Sequence, residues 1–287
     1  MKHFFISFLT VVLLLLSGIC HAAAQEFKVM SFNIRFDNPA DGINAWPNRV
    51  PLVEAYLNQQ MPHIIGFQEA MHHQVIKLET MLPGYTRVGT GRDDGRESGE
   101  HSPIFFKKDV FELINQGQFW LSETPEVAGS IGPGAVLPRI ATWAHLVVKS
   151  TGKELFIFNT HFSHIGDNAR WFSAQLMSER MKQIAGENAL IVTGDFNLDI
   201  TGETYKKMAE LFQVNNQLLN ATENEPSFIQ TQHGTFNGFG RVDRQTFIDF
   251  IFANPHFSVA SASIDRVKDG EVFISDHWPI TVVVEMQ

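Results

Sequence analysis

Six apolar, strand-like runs in this sequence carry polar side chains at or near one end. One of them, residues 189–193, continues through Gly194 directly into Asp195 and Asn197. A short apolar run predicts an interior strand, although Asp and Asn by themselves are also ordinary turn residues. Recurrence at six strands favours a functional site, because such sites are built from polar groups that rigid strands position. The polar residues are Asn33 and Arg35, Gln68 and Glu69, Asn159 and His161, Asp195 and Asn197, Asp249, and Asp276 and His277.

The wider pattern predicts an α/β chain with more than one kind of strand connection. Runs rich in Val, Ile, Phe and Thr alternate partly with helical periodicity and partly follow one another as hairpins. This mixture favours a mixed α/β sandwich over a doubly wound parallel sheet. The predicted strands are 27–34, 63–67, 103–107, 111–119, 142–149, 154–159, 189–193, 246–253 and 281–285, and the predicted helices begin near Pro51 and Met71 or span 169–184 and 202–212.

The N-terminus has the pattern of a signal peptide. Lys2 precedes an apolar segment at residues 4–16, which is short for a membrane span, and three alanines follow as small residues for cleavage. We predict that residues 1–24 are a signal peptide and that residues 25–287 form one domain, exported to the periplasm or the extracellular space. Cys20 is the only cysteine, so the mature chain would contain neither a disulfide nor a thiolate zinc site.

Charge restricts the partners that this protein can attract over a distance. The chain has 22 Lys and Arg against 31 Asp and Glu, which gives a formal net charge of −9. Such a surface does not draw in polyanions, so any contact with nucleic acid would be local or assisted by a cation. No segment after the signal peptide is apolar enough for stable membrane insertion, and we expect a monomer.

The residue types at the strand ends suit metal-assisted hydrolysis. Asn33, Glu69 and Asp276 offer the oxygen ligands that Mg²⁺ accepts while it keeps several waters, with Mn²⁺ as the alternative. His161 and His277 are imidazoles that exchange protons near neutral pH. Together these groups favour hydrolysis of a phosphate ester by in-line attack of water.

Six short motifs in a fixed order resemble those of a known superfamily. The motifs are SFNIR, FQE, NTHF, GDFN, IDFIF and SDHWP, and they extend over nearly the whole mature chain. This set is similar to the endonuclease/exonuclease/phosphatase (DNase I-like) superfamily, in particular to its small secreted bacterial members. The resemblance implies a four-layered α/β sandwich, in which two packed mixed β-sheets are flanked by helices.

The resemblance also implies roles for the residues around the metal and the attacking water. Asn33 and Glu69 match the metal-site residues, with Glu69 as the principal ligand, and Asp276 lies beside His277 toward the metal. Asp195 and Asn197 match the pair that orients the water, and Asn197 also contacts the phosphate.

For the histidines, the resemblance implies two imidazole–carboxylate pairs. His277 matches the imidazole at the scissile phosphate, and Glu100 is the candidate carboxylate that orients it. His161 matches the second histidine, which contacts the phosphate, with Asp249 as its partner. Arg139 aligns with a phosphate-contacting arginine. Whether Asp195 or His277 is the general base stays open.

Three functions are compatible with the sequence. The first is an exported Mg²⁺-dependent phosphoesterase acting on a phosphodiester or a phosphomonoester. The second is a secreted nuclease, and the third is a non-catalytic binding protein on the same fold. We further expect Trp278 to brace His277, His164 to lie within reach of substrate, and the charged segment 91–100 to be a mobile loop.

Overall fold

The computed structural model describes residues 25–223, 234–243 and 246–287, so the predicted signal peptide lies outside the described residues. The helices are α1 (Trp46–Gln60), α2 (His72–Met81), α3 (Asp167–Ala185) and α4 (Glu203–Asn216). The strands are β1 (Gln25–Asn33), β2 (Ile64–Gln68), β3 (Tyr85–Val88), β4 (Ile104–Lys107), β5 (Phe111–Trp120), β6 (Ile140–Val148), β7 (Glu154–His161), β8 (Ala189–Asp195), β9 (Leu219–Asn220), β10 (Asp249–Ala253), β11 (Phe257–Ile264), β12 (Lys268–Asp269), β13 (Val272–Phe273) and β14 (Ile280–Met286).

Two six-stranded mixed sheets form the centre of the molecule, as the sequence predicts. Their strand orders are β11-β14-β1-β2-β4-β3 and β5-β6-β7-β8-β10-β9. Each sheet contains one central parallel pair, β1 with β2 and β7 with β8, between antiparallel neighbours. Asn33 lies opposite Gln68 in the first pair, and His161 lies opposite Asp195 in the second. Both parallel pairs therefore end in polar residues.

Apolar side chains fill the space between the sheets and beneath the helices. On β1, Phe27 and Val29 join the core that both sheets share, whereas Met30 and Phe32 pack with residues of α1 and α2. Residues of α3 and α4, such as Met177, pack on the second sheet. Alternate burial of this kind follows from the two-residue period of a strand. The helices thus form the outer layers, which confirms the four-layered fold.

Near one end of the strands, polar groups replace the apolar core between the sheets. The Gln68 side chain donates to Asn159 Oδ1 at 2.7 Å and to Ser31 Oγ at 3.1 Å. Thr193 donates to the same Asn159 oxygen at 3.0 Å, and the Asn159 amide donates to the carbonyl of Phe67 at 2.6 Å. These hydrogen bonds connect the two sheets, and they satisfy groups whose burial alone would be costly.

Several element boundaries differ from those that the sequence predicts. Helix α1 begins at Trp46, with Pro47 in its first turn and Pro51 inside it, so Pro51 was wrongly placed at the start. Strand β10 begins at Asp249 rather than residue 246, because Thr246 forms an isolated bridge with Phe236. Strands β3, β9, β11, β12 and β13 were missed, since β9, β12 and β13 are only two residues long and β11 (FSVASASI) has few apolar residues. None of the described helices is long and apolar enough to cross a membrane.

Gly66 allows the polar network to form, and its replacement tests the packing of the sheets. A Cβ at this position would lie inside van der Waals contact with Thr193 Oγ1 and 2.6 Å from Asn159 Oδ1. We expect Gly66→Ala to lower the free energy of unfolding by about 1–3 kcal/mol or more. Gly84→Ala is the matched control, because no atom lies within 4 Å of its added methyl group. Thermal unfolding should show a lower Tm for Gly66→Ala alone; equal Tm values for both variants would contradict this packing.

Candidate active site

The side chain of Asn33 joins carboxylates that come from the two sheets. Its Nδ2 donates to Glu69 Oε1 at 3.0 Å and to Asp195 Oδ2 at 2.9 Å. Asn33 ends β1 and Glu69 directly follows β2, whereas Asp195 ends β8 in the other sheet. All three side chains are buried. The two parallel strand pairs therefore meet at one small polar centre, as the strand endings predict.

Three residues at this centre have left-handed backbone conformations. Arg35, Glu69 and Asn197 have φ values of 58°, 63° and 51°, which are strained for residues other than glycine. Two of these turns are fixed by the site itself, because Arg35 N donates to Asn33 Oδ1 at 3.0 Å and Asn197 N donates to Asp195 Oδ1 at 2.9 Å. Three of the six described non-glycine residues with positive φ thus lie where the sequence predicts function.

His277 is paired with Asp249, which corrects the sequence-based pairing. Its Nδ1 lies 2.9 Å from Asp249 Oδ2, whereas His161 Nδ1 lies 3.6 Å from Glu100 Oε2. The predicted pairs of His277 with Glu100 and of His161 with Asp249 were therefore wrong. The reason is topological: β10 runs antiparallel to β8 and places Asp249 opposite Asp195, beside His277.

Glu100 reaches His161 because its own loop is fixed. Arg92 Nη1 lies 2.5 Å from Glu100 Oε2, and Arg92 N donates to the Glu100 carbonyl at 3.0 Å. Asp94 accepts hydrogen bonds from the backbone of Arg96 and Ser98 within the same segment. Segment 91–100, expected to be a mobile charged loop, is thus crossed by internal hydrogen bonds that present Glu100 to the site.

The surroundings of the two histidines shift their pKa values in opposite directions. Burial opposes a charge on His277, but the carboxylates of Asp249 and Asp195 outweigh it and raise the His277 pKa well above its ordinary value. Burial, together with the positive charge of Arg139, lowers the pKa of His161 well below its ordinary value. The surroundings therefore favour the charged form of His277 and the neutral form of His161.

The carboxylates nearby fit a cation. Glu69, Asp195 and His277 each offer a ligand atom, and these atoms lie within 4.8 Å of one another. Burial and the neighbouring charge of Asp249 raise the pKa of Asp195 to about 7, and burial and Glu69 raise that of Asp276. A divalent cation would relieve this repulsion, and oxygen-rich donors suit Mg²⁺ or Mn²⁺.

The ligand roles of Asn33 and Asp276 stay predictions. The amide of Asn33 donates to the two carboxylates, and its carbonyl oxygen accepts from Arg35 N. Asp276 Oδ2 lies 3.7 Å from Arg35 Nε. Arg35 also pairs with Asp41 at 3.0 Å, so this cation, whose role the sequence left open, lies between the cluster and the loop after β1.

These groups line a cleft of about 810 Å³. Arg139 is buried in its wall and donates from Nη2 to His164 Nδ1 at 2.9 Å. The ring centroid of Phe236 lies 5.0 Å from that of His277, whereas Trp278 stacks on Phe273. Trp278 therefore does not brace His277 as predicted; Phe236 contacts it instead. The predicted residues that line the cleft are Glu69, Glu100, Arg139, His161, Asp195, Asn197, Asp276 and His277, while Asn33 and Asp249 are buried behind them.

Sequence reasoning missed Arg49, a buried cation beneath the site. Its guanidinium donates to the carbonyls of Ile34 at 2.6 Å, Ile274 at 2.9 Å and Arg35 at 3.0 Å. Burial lowers its pKa to about 10, so it remains charged at neutral pH. Arg49 thus connects the loop after β1 to the segment before Asp276. A single arginine within a helical pattern gives no signal of such a role.

Comparison with known proteins agrees with this fold and site. Residues 30–277 match the model of the endonuclease/exonuclease/phosphatase family. The crystal structure of the endonuclease/exonuclease/phosphatase from Bacteroides vulgatus is 36% identical with a TM-score of 0.83, and the alignment covers 92% of this chain and 100% of that one. A mannosyl-6-phosphatase from Bacteroides thetaiotaomicron is 36% identical with a TM-score of 0.80, with coverage of 90% and 99%.

A curated relative is more distant. An uncharacterized protein of Acanthamoeba polyphaga mimivirus is 25% identical over 281 residues, which cover 90% of this chain and all of that protein.

A sandwich of two mixed sheets with polar strand ends defines the DNase I-like class of folds. Because the family model spans most of the chain, this protein belongs to the endonuclease/exonuclease/phosphatase family.

The His277–Asp249 pair gives a direct prediction for the pKa of the imidazole. Asp249→Asn removes the negative charge next to Nδ1, so the pKa of His277 in the EDTA-treated protein should fall by about one to three pH units. The pKa is measured by NMR titration of the histidine ring protons, and the signal of His277 is assigned by its loss in His277→Gln.

Glu100→Gln is the matched control for this titration. It removes a carboxylate that faces His161 rather than His277, so the His277 pKa should stay close to that of the unmodified protein. A fall in Glu100→Gln, without one in Asp249→Asn, would restore the pairing predicted from sequence.

Proposed function

We propose that this protein is a divalent-metal-dependent hydrolase of phosphate esters. The observation that carries the proposal is the cluster of Glu69, Asp195 and His277, whose ligand atoms lie within 4.8 Å of one another at the floor of the cleft. Carboxylates this close repel one another unless a cation or proton lies between them. When bound there, Mg²⁺ or Mn²⁺ would supply charge stabilisation to the phosphoryl group.

The remaining roles follow from what the side chains contact. Asp249 fixes the His277 ring through Nδ1, which directs Nε2 toward Asp195 and Asn33 at 3.8 Å and 3.4 Å. The carboxylates of Glu69 and Asp195 would hold the cation, so a charged His277 is left to donate a proton or a hydrogen bond to an oxygen bound in the cleft. His161 Nε2 lies 3.5 Å from the same Asp195 carboxylate, so both imidazoles face one reaction centre.

Asp195 and Asn197 complete this centre. The Asp195 carboxylate accepts from Asn33 and from Asn197 N, which fixes its orientation. With a pKa near neutrality it is suited to orient or deprotonate the attacking water. The Asn197 side chain donates to the Phe162 carbonyl at 3.1 Å, which positions its amide at the edge of the cleft as a contact for the phosphate.

A small ester is a better candidate substrate than duplex nucleic acid. The net charge of −9 gives no long-range attraction to a polyanion. The 36% identical structure is described as a mannosyl-6-phosphatase, which supports a sugar phosphate or a similar compact ester. The complete set of acids, imidazoles and arginine in one cleft argues against a non-catalytic binding protein.

Export is the second part of this proposal. Its support is the charged, apolar and small-residue pattern of residues 1–24. N-terminal sequencing of the mature protein from the producing cell, with Gln25 as the expected first residue, tests it independently of activity.

Glu69→Gln tests the proposed metal dependence. The substitution keeps the size of the side chain but removes its charge, so both Mg²⁺ affinity and hydrolysis should fall. Because charge stabilisation by a metal is worth several kcal/mol, we expect kcat/KM to fall by at least roughly a hundredfold. The assay uses a panel of monoesters, diesters and oligonucleotides with EDTA or Mg²⁺, and calorimetry measures Mg²⁺ binding.

Glu112→Gln on the exposed face of β5 is the control for general loss of charge and should retain full activity. Activity that survives EDTA, or unchanged Mg²⁺ binding by Glu69→Gln, would overturn the proposed metal role. Cleavage of oligonucleotides in preference to every small ester would establish the nuclease instead.

A further inference from the structure

Arg139 is a buried cation with unused donors in the wall of the cleft. The residue is 4% exposed, and among the described residues its Nε and Nη1 atoms have no hydrogen-bond partner. Glu100 lies 3.9 Å from Nη1, but the same carboxylate oxygen is already 2.5 Å from Arg92 Nη1. Two guanidiniums therefore share one adjacent carboxylate. A buried charge with open donors is costly unless an anion accepts them, so an anion bound in the cleft would satisfy Arg139.

His164 extends this wall with a second donor. Arginine can only donate, so the 2.9 Å contact from Arg139 Nη2 makes His164 Nδ1 an acceptor. The proton of the neutral ring is then on Nε2. His164 is exposed and lines the cleft, where its N–H is available to a bound group. The Arg139–His164 pair, which we call the anion pair, thus offers a cation and an oriented neutral donor.

The anion pair is positioned by contacts between two loops. The loop before Arg139 packs on the start of α3, where Gly166 approaches the carbonyl of Gly134 and Gly134 approaches Ala169. Both glycines have positive φ, at 77° each, a conformation that glycine adopts without strain. This packing joins the segments that carry Arg139 and His164, so the pair is in place before substrate binds.

We propose that the anion pair selects a terminal phosphate, so that the protein prefers phosphomonoesters to phosphodiesters. This inference rests on the proposed phosphoesterase function and names the substrate class of that site. His161, Asn197 and His277 already face the reaction centre. The anion pair adds further donors and one positive charge to these groups. It lies close to His161, because Glu100 Oε2 is 3.6 Å from His161 Nδ1 and 3.9 Å from Arg139 Nη1.

The two ester classes differ in what they offer to such a pair. A monoester carries about −1.5 to −2 charge at neutral pH and three strong acceptor oxygens. A diester carries one negative charge and two such oxygens, and its second ester group would meet Arg139 and His164 with a poor acceptor. Charge-assisted hydrogen bonds to the third oxygen therefore favour the monoester.

The test compares p-nitrophenyl phosphate with bis-p-nitrophenyl phosphate, which release the same leaving group, in the presence of Mg²⁺. The wild-type protein should have the higher kcat/KM on the monoester. His164→Ala should lower this value roughly 10- to 100-fold, as expected for losing a hydrogen bond to a charged group, and should change kcat/KM on the diester less than about twofold. Inhibition by inorganic phosphate should weaken in parallel.

Two further variants separate recognition from folding. His164→Gln keeps an amide that can accept from Arg139 and donate to phosphate, and it should recover part of the lost monoester activity. His256→Ala removes an exposed histidine that contacts the Glu187 carbonyl, and it should behave as wild type on both substrates. Equal losses on both esters in His164→Ala, or a wild-type preference for the diester, would overturn the proposed selection of a terminal phosphate. Either result would leave the proposed phosphoesterase function intact.

Hydrolysis of neither ester class by the wild type would overturn the proposed function. Calorimetric titration with methyl phosphate and dimethyl phosphate then tests, independently of hydrolysis, whether the anion pair selects a terminal phosphate. Tighter binding of methyl phosphate that is lost in His164→Ala supports the pair. Equal binding of the two compounds, or no binding of either, contradicts it.

Discussion

The amide of Asn33 between Glu69 and Asp195 is the contact on which the site depends. It joins one carboxylate from each sheet, and both must stay within a few ångströms although burial and mutual repulsion oppose this. The sheets can bring them together because each ends its parallel strand pair at the same edge. Beneath them, the Gln68–Asn159–Thr193 network replaces apolar packing with hydrogen bonds, so the distance between the sheets is set directly under the site.

Several features of this arrangement destabilise the folded protein, and they indicate where function constrains the structure. Left-handed residues at Arg35, Glu69 and Asn197, together with carboxylates of raised pKa, are features that a fold keeps when function requires them. The fully buried Arg49 is another feature that destabilises the fold and supports the site. Its hydrogen bonds to the carbonyls of Ile34, Arg35, Asn44 and Ile274 hold the chain around Asn33 and Asp276 in one conformation, although burial of the cation carries a desolvation penalty.

The sequence predicts much of the fold and most of the residues of the candidate site, but it does not predict how those residues pair. Asn33, Glu69, His161 and Asp195 each follow or end an apolar run, and His277 lies just before the last strand, so local periodicity and motif order predicted them as site residues. Their partners depend on tertiary structure instead. The pairing of Asp249 with His161 came from the family resemblance, and it was wrong because the sequence does not show which histidine the fold brings next to strand β10. Arg49 has no local signature.

The central claim is that a divalent cation lies where the two sheets meet, and anomalous scattering from crystals soaked in Mn²⁺ tests it most directly. The account predicts one strong anomalous peak within ligand distance of both Glu69 and a side chain of the second sheet, and its loss in crystals of Glu69→Gln. A peak that contacts residues of one sheet alone, or no peak in the cleft at saturating Mn²⁺, would contradict it.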